Sequence, residues 1–320
     1  MIKYSVIGTS WITKSFIEGA STVSGLKLYG VYSRTKEKGE AFAAETGAEA
    51  VFTSLDELAA SQSDFIYVAS PNVCHYEQCR FLLSHGKNVI CEKPITVTAK
   101  EFEELFSLAE KNNVIYFEAI MYMHTPARKI LKSAVEKIGV ISSAHFDYSQ
   151  LSSKYPALKR GELPNIFNPA MKTGALNDLG VYCVYPMIDL FGTPEKIIPS
   201  QFALHTGADG SGGALCVYGD KFVTVTYSKT GQSRLGSQIM GDEGTVTVES
   251  VSQMTGIGLY DNGGAFSLLE PEREKKYLMG NEAQSMVNFI TDFGNHRDFY
   301  YECAAMSQKV AACMEKMRTL

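Results

Sequence analysis

Short apolar runs and amphipathic segments alternate six times within the first 120 residues, and this alternation restricts the fold more than any other feature. Strands are expected at 4–8, 28–32, 51–52, 65–69, 88–91 and 114–118. The intervening spacing predicts one helix through about residue 25 and another over 36–46, with Phe42 and Ala43 inward. A short helix follows Ser54, where Glu57 completes a capping box. Two more are expected over 73–85, stopping at Gly86, and over 99–111, where Phe102, Leu105, Phe106 and Ala109 recur at helical spacing. Strands joined through helices run the same way, so the pattern demands a parallel, doubly wound sheet.

Past Glu118 the rhythm changes. A helix is expected over 126–138, a long strand over 140–150, a polar loop over 152–172 and a helix over 175–190 that ends at Gly192 and Pro194. Residues 196–277 read as strands and tight turns. Gly219-Asp220, between runs 215–218 and 222–227, suits a two-residue type II′ hairpin, and Gly241-Asp242-Glu243-Gly244 turns into a strand at 245–248. Helices over 281–293 and 297–316 close the chain. The expected class is α/β: an N-terminal doubly wound parallel (Rossmann) sheet over 1–121, then an α+β domain over 122–320 with a large open, mostly antiparallel sheet.

Bulk properties exclude several kinds of function. The 320 residues are 45% hydrophobic and 20% charged, as in ordinary folded domains. The formal net charge is −5 and no basic run reaches five residues, so neither nucleic acid nor an anionic membrane is an expected partner. No apolar run approaches the roughly 18–20 residues of a membrane helix. The opening Met1-Ile2-Lys3-Tyr4-Ser5-Val6-Ile7-Gly8 enters a strand pattern directly, without the features of a signal peptide. The seven cysteines form no Cys-x-x-Cys pair and the six histidines lack ligand spacing, so neither a disulfide framework nor a metal site is expected. A reducing cytoplasm is the expected compartment.

The first turn, Gly8-Thr9-Ser10-Trp11-Ile12-Thr13, lies where a dinucleotide fold places Gly-x-Gly-x-x-Gly. Only the first glycine remains. Gly8 can make the tight turn, and the small Ser10 lets a pyrophosphate approach the N–H groups that open the helix. Thr13, in the third place, implies looser packing of helix on strand. After the second strand stands Ser33-Arg34-Thr35-Lys36, with no acid to hold a ribose 2′-hydroxyl. A guanidinium there suits a 2′-phosphate, so NADP is favoured and NAD is the alternative. Ser70-Pro71-Asn72 follows the fourth strand, with Asn72 a candidate helix cap and His75 one turn on. Glu92-Lys93-Pro94 ends the fifth strand abruptly, and Pro94 aims Lys93 out of its carboxyl end.

Three runs together resemble the Gfo/Idh/MocA oxidoreductases: Ala69-Ser70-Pro71-Asn72 with His75, Gly86-Lys87-Asn88-Val89-Ile90-Cys91-Glu92-Lys93-Pro94, and Thr173-Gly174-Ala175-Leu176-Asn177-Asp178-Leu179-Gly180-Val181-Tyr182. The dihydrodiol dehydrogenase and glucose–fructose oxidoreductase branches look nearest, because Tyr182 follows Asp178 by four residues where inositol dehydrogenases carry His. The resemblance implies that Lys93 reaches cofactor and substrate beside the nicotinamide, and that Asp178 and Tyr182 face it from the second domain. It further implies cofactor contacts from Gly8, Ser10, Trp11, Ile12, Ser33, Arg34, Ser70, Pro71, Asn72, His75, Glu92, Lys93 and Tyr122. The family's Arg after the sixth strand is replaced by Met123, leaving His124 or Arg128 as substitutes.

The resulting expectation is an NADP-dependent dehydrogenase acting on a secondary alcohol of a sugar, polyol or cyclic diol. Tyr182 or Lys93 is the immediate proton carrier, with Asp178 orienting a substrate hydroxyl or that pair. A non-catalytic NAD(P)-binding sensor on the same fold is the rival reading, and a reductase of a larger conjugated ligand ranks third. The family's open sheets pair face to face, so a homodimer is expected.

Overall fold

The apolar runs of the N-terminal part pair into one six-stranded, all-parallel sheet. The computed structural model describes residues 1–270 and 278–318. It divides into two units, Met1–Met121 with Glu274–Gln308, and Tyr122–Arg273 with Lys309–Leu320. The first unit contains β1 (Ile2–Ile7), α1 (Trp11–Ala20), β2 (Leu26–Tyr32), α2 (Lys36–Thr46), β3 (Ala50–Phe52), α3 (Leu55–Ala59), β4 (Phe65–Val68), α4 (Asn72–Ser84), β5 (Asn88–Glu92), α5 (Ala99–Lys111) and β6 (Tyr116–Ala119). Its strand order is β3-β2-β1-β4-β5-β6. The winding reverses between β1 and β4, which opens a crevice at their carboxyl ends.

Side chains alternate across this sheet, and both faces are covered. Tyr4, Val6, Phe65, Tyr67 and Ile90 enter one core cluster, while Ile7, Ile66, Val68, Val89 and Cys91 enter the other. Burial on both faces explains why these strands read as continuous apolar runs. The expected capping box at Ser54 and Glu57 is present, and Thr98 with Glu101 forms another. Three expectations are corrected. Helix α1 ends at Ala20, because Ser21 Oγ and Thr22 Oγ donate to the Glu18 and Gly19 carbonyls and peel the chain away. Thr13 is fully buried, so its contact is not loose. Asn72 is the first residue of α4, preceded by Pro71 at the cap position, so it contributes a first-turn N–H and not a cap.

The second unit holds α6 (Met121–His124), whose first residue closes the preceding segment, then α7 (Ala127–Val135), β7 (Ile141–Ser149), α8 (Tyr155–Lys159) and α9 (Val181–Phe191). Strands β8 (Lys196–Ala203), β9 (Asp209–Val217), β10 (Phe222–Ser228), β11 (Ser237–Gly241), β12 (Gly244–Ser250), β13 (Thr255–Asp261) and β14 (Phe266–Leu268) follow. Residue 277, the expected end of the strand-rich stretch, lies outside the described residues. The eight-stranded sheet runs β14-β13-β12-β11-β7-β10-β9-β8, and among the described residues only the β7–β10 pair in it is parallel. Val223, Val225 and Tyr227 of β10 are buried on the covered face. Thr224 and Thr226 point the other way, in register with Leu215 and Gly213 on β9 and with His145 and Asp147 on β7.

Two local readings change here as well. Tyr218 N–H donates to the Lys221 carbonyl at 3.0 Å and closes the expected two-residue turn, but Gly219 lacks the positive φ that type II′ requires. The stretch 152–172 is more than a polar loop. It contains α8 and two short 3-10 turns, and its Leu158 and Phe167 form a small core with Leu204 from beyond the stretch.

The last two helices are α10 (Gly280–Thr291) and α11 (Phe293–Met317). They do not close the second half as expected. Ala283, Met286, Phe289 and Tyr300 belong to the same core cluster as Tyr4 and Phe16, because their apolar stripe completes the cover of the parallel sheet. Helix α11 is continuous through 294–296, where a break was expected, and its residues from Lys309 onward belong to the second unit.

Candidate functional site

At the switch point of the parallel sheet, the Ala69 N–H donates to the Ile7 carbonyl at 2.9 Å and brings the ends of β1 and β4 together. Gly8 adopts φ +110°, and a Cβ there would stand 2.7 Å from the Ala69 carbonyl oxygen. Only glycine satisfies both the backbone and the close approach. Ser10 is the N-cap of α1 but makes no side-chain cap hydrogen bond, and the first turn carries no acid. Trp11 is exposed and Ile12 half-buried beside it. The opening N–H groups of α1 and its positive dipole end therefore suit a diphosphate. Ser33 is buried after β2, while Arg34 is exposed with Lys36 close behind. The residues present thus fit a dinucleotide with a 2′-phosphate.

The turn after β5 is gripped from several sides. Glu92 is buried; it accepts the Tyr67 hydroxyl, and its Oε2 accepts the Lys93 N–H at 3.2 Å. Glu118, also buried, accepts the Ile95 N–H at 3.0 Å. His75 puts Nδ1 3.0 Å from the Pro94 carbonyl oxygen and Nε2 2.9 Å from that of Ser70. Burial holds the His75 ring below its ordinary pKa, although the two carbonyls oppose that shift. Ser70 Oγ donates to Gln78 Oε1 at 2.6 Å, Pro71 is exposed, and Asn72 is half-buried in the first turn of α4. Lys93 itself is half-buried, and the Lys93–Pro94 peptide is cis. Gly8, Ser70, His75, Glu92 and Lys93 thus converge at one edge of one sheet.

In the second unit, Leu176–Gly180 forms a wide π-type turn that runs directly into α9. It carries Asp178, and Tyr182 follows one turn later; both are half-buried. The Leu176 N–H donates to Asp209 Oδ2 at 2.6 Å, and Gly174 admits this carboxylate, since a Cβ there would lie 1.8 Å from Asp209 Oδ1. Burial pushes the Asp209 carboxyl up to about 6, against the backbone hydrogen bond from Leu176. Lys229, immediately after β10, forms an ion pair with Asp178, and the Tyr148 ring stands edge-on to Tyr182 at 5.5 Å.

Tyr122 lies in this unit, where its hydroxyl donates to Asp189 Oδ2 at 2.8 Å. Arg128 cannot replace the missing family Arg. Its guanidinium is buried and makes a fork on Asp189, with both bonds at 2.7 Å. Burial raises the Asp189 carboxyl, but the Arg128 hydrogen bonds and charge outweigh it and hold the group below its ordinary range. No group of three metal-ligating side chains is assembled among the described residues.

Three residues that belong to these arrangements escaped the sequence reading: Glu118, Asp209 and Lys229. Glu118 was visible as an acid ending an apolar strand, the same signal that drew attention to Glu92. Asp209 and Lys229 reach Leu176 and Asp178 from 33 and 51 residues away. No local pattern marks such pairs.

A family model described as an oxidoreductase family with an NAD-binding Rossmann fold (Gfo/Idh/MocA) matches residues 2–120. The chain is 36% identical to scyllo-inositol 2-dehydrogenase (NADP(+)) of Bacillus subtilis, over 91% of this chain and 89% of that protein. It is 25% identical to a trans-1,2-dihydrobenzene-1,2-diol dehydrogenase of Xenopus tropicalis, over 96% and 88%. Among solved structures, a 3-ketoreductase from Actinomadura kijaniata in complex with TDP-benzene and NADP aligns with a TM-score of 0.84 at 18% identity, covering 99% of this chain and 97% of that one. This last likeness is one of fold.

Proposed function

The chain belongs to the Gfo/Idh/MocA family of oxidoreductases, and from that premise we propose that it transfers a hydride between NADP(H) and a secondary alcohol or carbonyl of a sugar, polyol or cyclic diol. The observation that carries the reading is the Gly8 turn at the sheet's switch point, where α1 opens with neither a side-chain cap bond nor an acid in its first turn. The activity for which the Bacillus subtilis relative is named supports the cofactor and a cyclic polyol as the substrate class. In this reading Gly8, Ser10, Trp11 and Ile12 receive the diphosphate, and Ser33 and Arg34 the 2′-phosphate. Ser70, Pro71, Asn72, His75, Glu92 and Tyr122 complete the cofactor contacts.

When bound, the nicotinamide accepts or returns the hydride. The chain must move the hydroxyl proton, since a protonated alcohol is a poor hydride donor. Tyr182 Oη or Lys93 Nζ is the proton carrier for that task, and Asp178 orients a substrate hydroxyl or that pair. Residues 1–121, whose sheet α10 and most of α11 help to cover, carry the dinucleotide role, and the part of 122–320 that builds the second sheet carries the substrate and pairing roles. A homodimer through the outward face of the second sheet belongs to the same reading. Exposed Ile198, Phe202, Leu215, Phe222 and Phe266 interrupt its Ser and Thr surface, which favours a partner there. A reducing cytoplasm is supported by seven cysteines that form no disulfide. No helix among the described residues is long and apolar enough to cross a membrane.

The test is NADP⁺ reduction, followed by near-ultraviolet absorbance, across sugars, inositols and cyclic diols, with NAD⁺ and Lys93→Met alongside. Turnover that prefers NADP⁺ and disappears in the variant is expected. Tight NADPH binding without turnover on the whole panel would replace the dehydrogenase with a sensor.

A further inference from the structure

Asp178 is anchored by a residue far from it in sequence. Lys229 Nζ forms an ion pair with Asp178 Oδ2; the lysine side chain is 8% exposed and that of the aspartate 30%. Lys229 is also fixed at its main chain. Its N–H donates to the Gly210 carbonyl at 2.8 Å, and its carbonyl accepts the Ser152 N–H at 2.9 Å. Asp178 is held in turn by its own N–H, which donates to the Gly174 carbonyl at 3.1 Å. An ammonium withdrawn this far from water is unfavourable without an opposing charge, so the pair is a built feature of the fold and not a chance surface contact.

We infer that Lys229 is a positioning residue for the proposed reaction: it holds the Asp178 carboxylate in one direction, so that Asp178 accepts a hydrogen bond from a substrate hydroxyl next to the reacting one. Asp178 then serves as a fixed hydrogen-bond acceptor, and the proton-carrying step stays with Tyr182 or Lys93. The substrate class narrows accordingly to rings with vicinal hydroxyls. A lone secondary alcohol offers Asp178 nothing to bind. This inference rests on the dehydrogenase reading above.

The experiment compares trans-1,2-cyclohexanediol with cyclohexanol as probes for the wild-type enzyme, Lys229→Met and Lys229→Arg, with NADP⁺ saturating. Wild type is expected to favour the diol in kcat/KM by about tenfold or more, the value of one hydrogen bond to a charged group. Lys229→Met should lose that preference, Lys229→Arg should keep most of it, and both should bind NADPH like the wild type. Discrimination that survives in Lys229→Met overturns the assignment. If the wild type turns over neither probe nor any inositol, the dehydrogenase reading fails on its own account. The crystal structure of Lys229→Met then decides the present inference: an Asp178 carboxylate that keeps its direction refutes it, and one that turns away supports it.

Discussion

His75 lies between two main-chain carbonyls, 3.0 Å from that of Pro94 and 2.9 Å from that of Ser70, and so ties the turn after β5 to the turn after β4. A neutral imidazole has one N–H and satisfies one of them; protonation would satisfy both but charges a buried ring. His75→Phe leaves both carbonyls without a donor and is expected to lower stability by about 1–3 kcal/mol. The folded ring titrates below its ordinary 6.5, so its contribution is present above that value and fades as the pH falls. Urea unfolding from about pH 8 to pH 5 should show a decline at the acid end that is weaker in the variant. Identical slopes would remove His75 as the cause.

Glu282 has the opposite sign. It sits in the first turn of α10, is 1% exposed, and neither carboxyl oxygen has a hydrogen-bond partner among the described residues. Burial, reinforced by Glu92 and Glu118, raises its carboxyl well above the ordinary 4.5. The folded protein therefore keeps a proton that the unfolded chain releases, and stability is lost as the pH rises above that ordinary value. Glu282→Met should be more stable than the wild type at neutral pH by about 1–3 kcal/mol, with the difference shrinking toward about pH 4. A difference that stays constant with pH would mean that Glu282 is not the titrating group.

The Lys229–Asp178 pair predicts a non-additive cycle. Asp178→Asn leaves a buried ammonium without its counter-charge and should cost about 3–5 kcal/mol. Adding Lys229→Met removes that ammonium and should restore most of the stability while leaving activity absent. Chemical denaturation of the two single variants and the double variant measures the coupling. Additive losses would show that the two side chains do not depend on one another.

Arg34 is exposed just past β2, with no acid between Tyr32 and Lys36. Arg34→Ala should raise KM for NADP⁺ by about ten- to a hundredfold, through loss of charge-assisted hydrogen bonds to a 2′-phosphate. KM for NAD⁺ should change by about twofold or less. Equal losses with both cofactors would mean that the arginine does not read that phosphate.

The first sheet was legible because its signals are local. A strand buried on both faces must be apolar throughout, and a parallel connection must return through a helix, so the order of elements announced itself. Ser54 with Glu57, and Gly8 after β1, were legible for the same reason, since each makes its contacts within a few residues of itself or at the end of its own strand. The placement of α10 was not. An amphipathic stripe says that a helix packs, but not on which sheet, and Met286 and Phe289 would suit either.

By itself, then, the sequence determined the doubly wound sheet and its Gly8 turn, and it pointed to Lys93, Asp178 and Tyr182 as candidate site residues. Tertiary structure alone decided what holds them. His75 and Glu118 brace the Lys93 turn, Asp209 anchors the start of the helical segment that carries Asp178, and Lys229 pairs with Asp178 itself. Each of these is a single polar contact between residues distant along the chain. Such a contact needs only one donor and one acceptor brought together, and a pairing of that kind leaves no periodicity in the sequence.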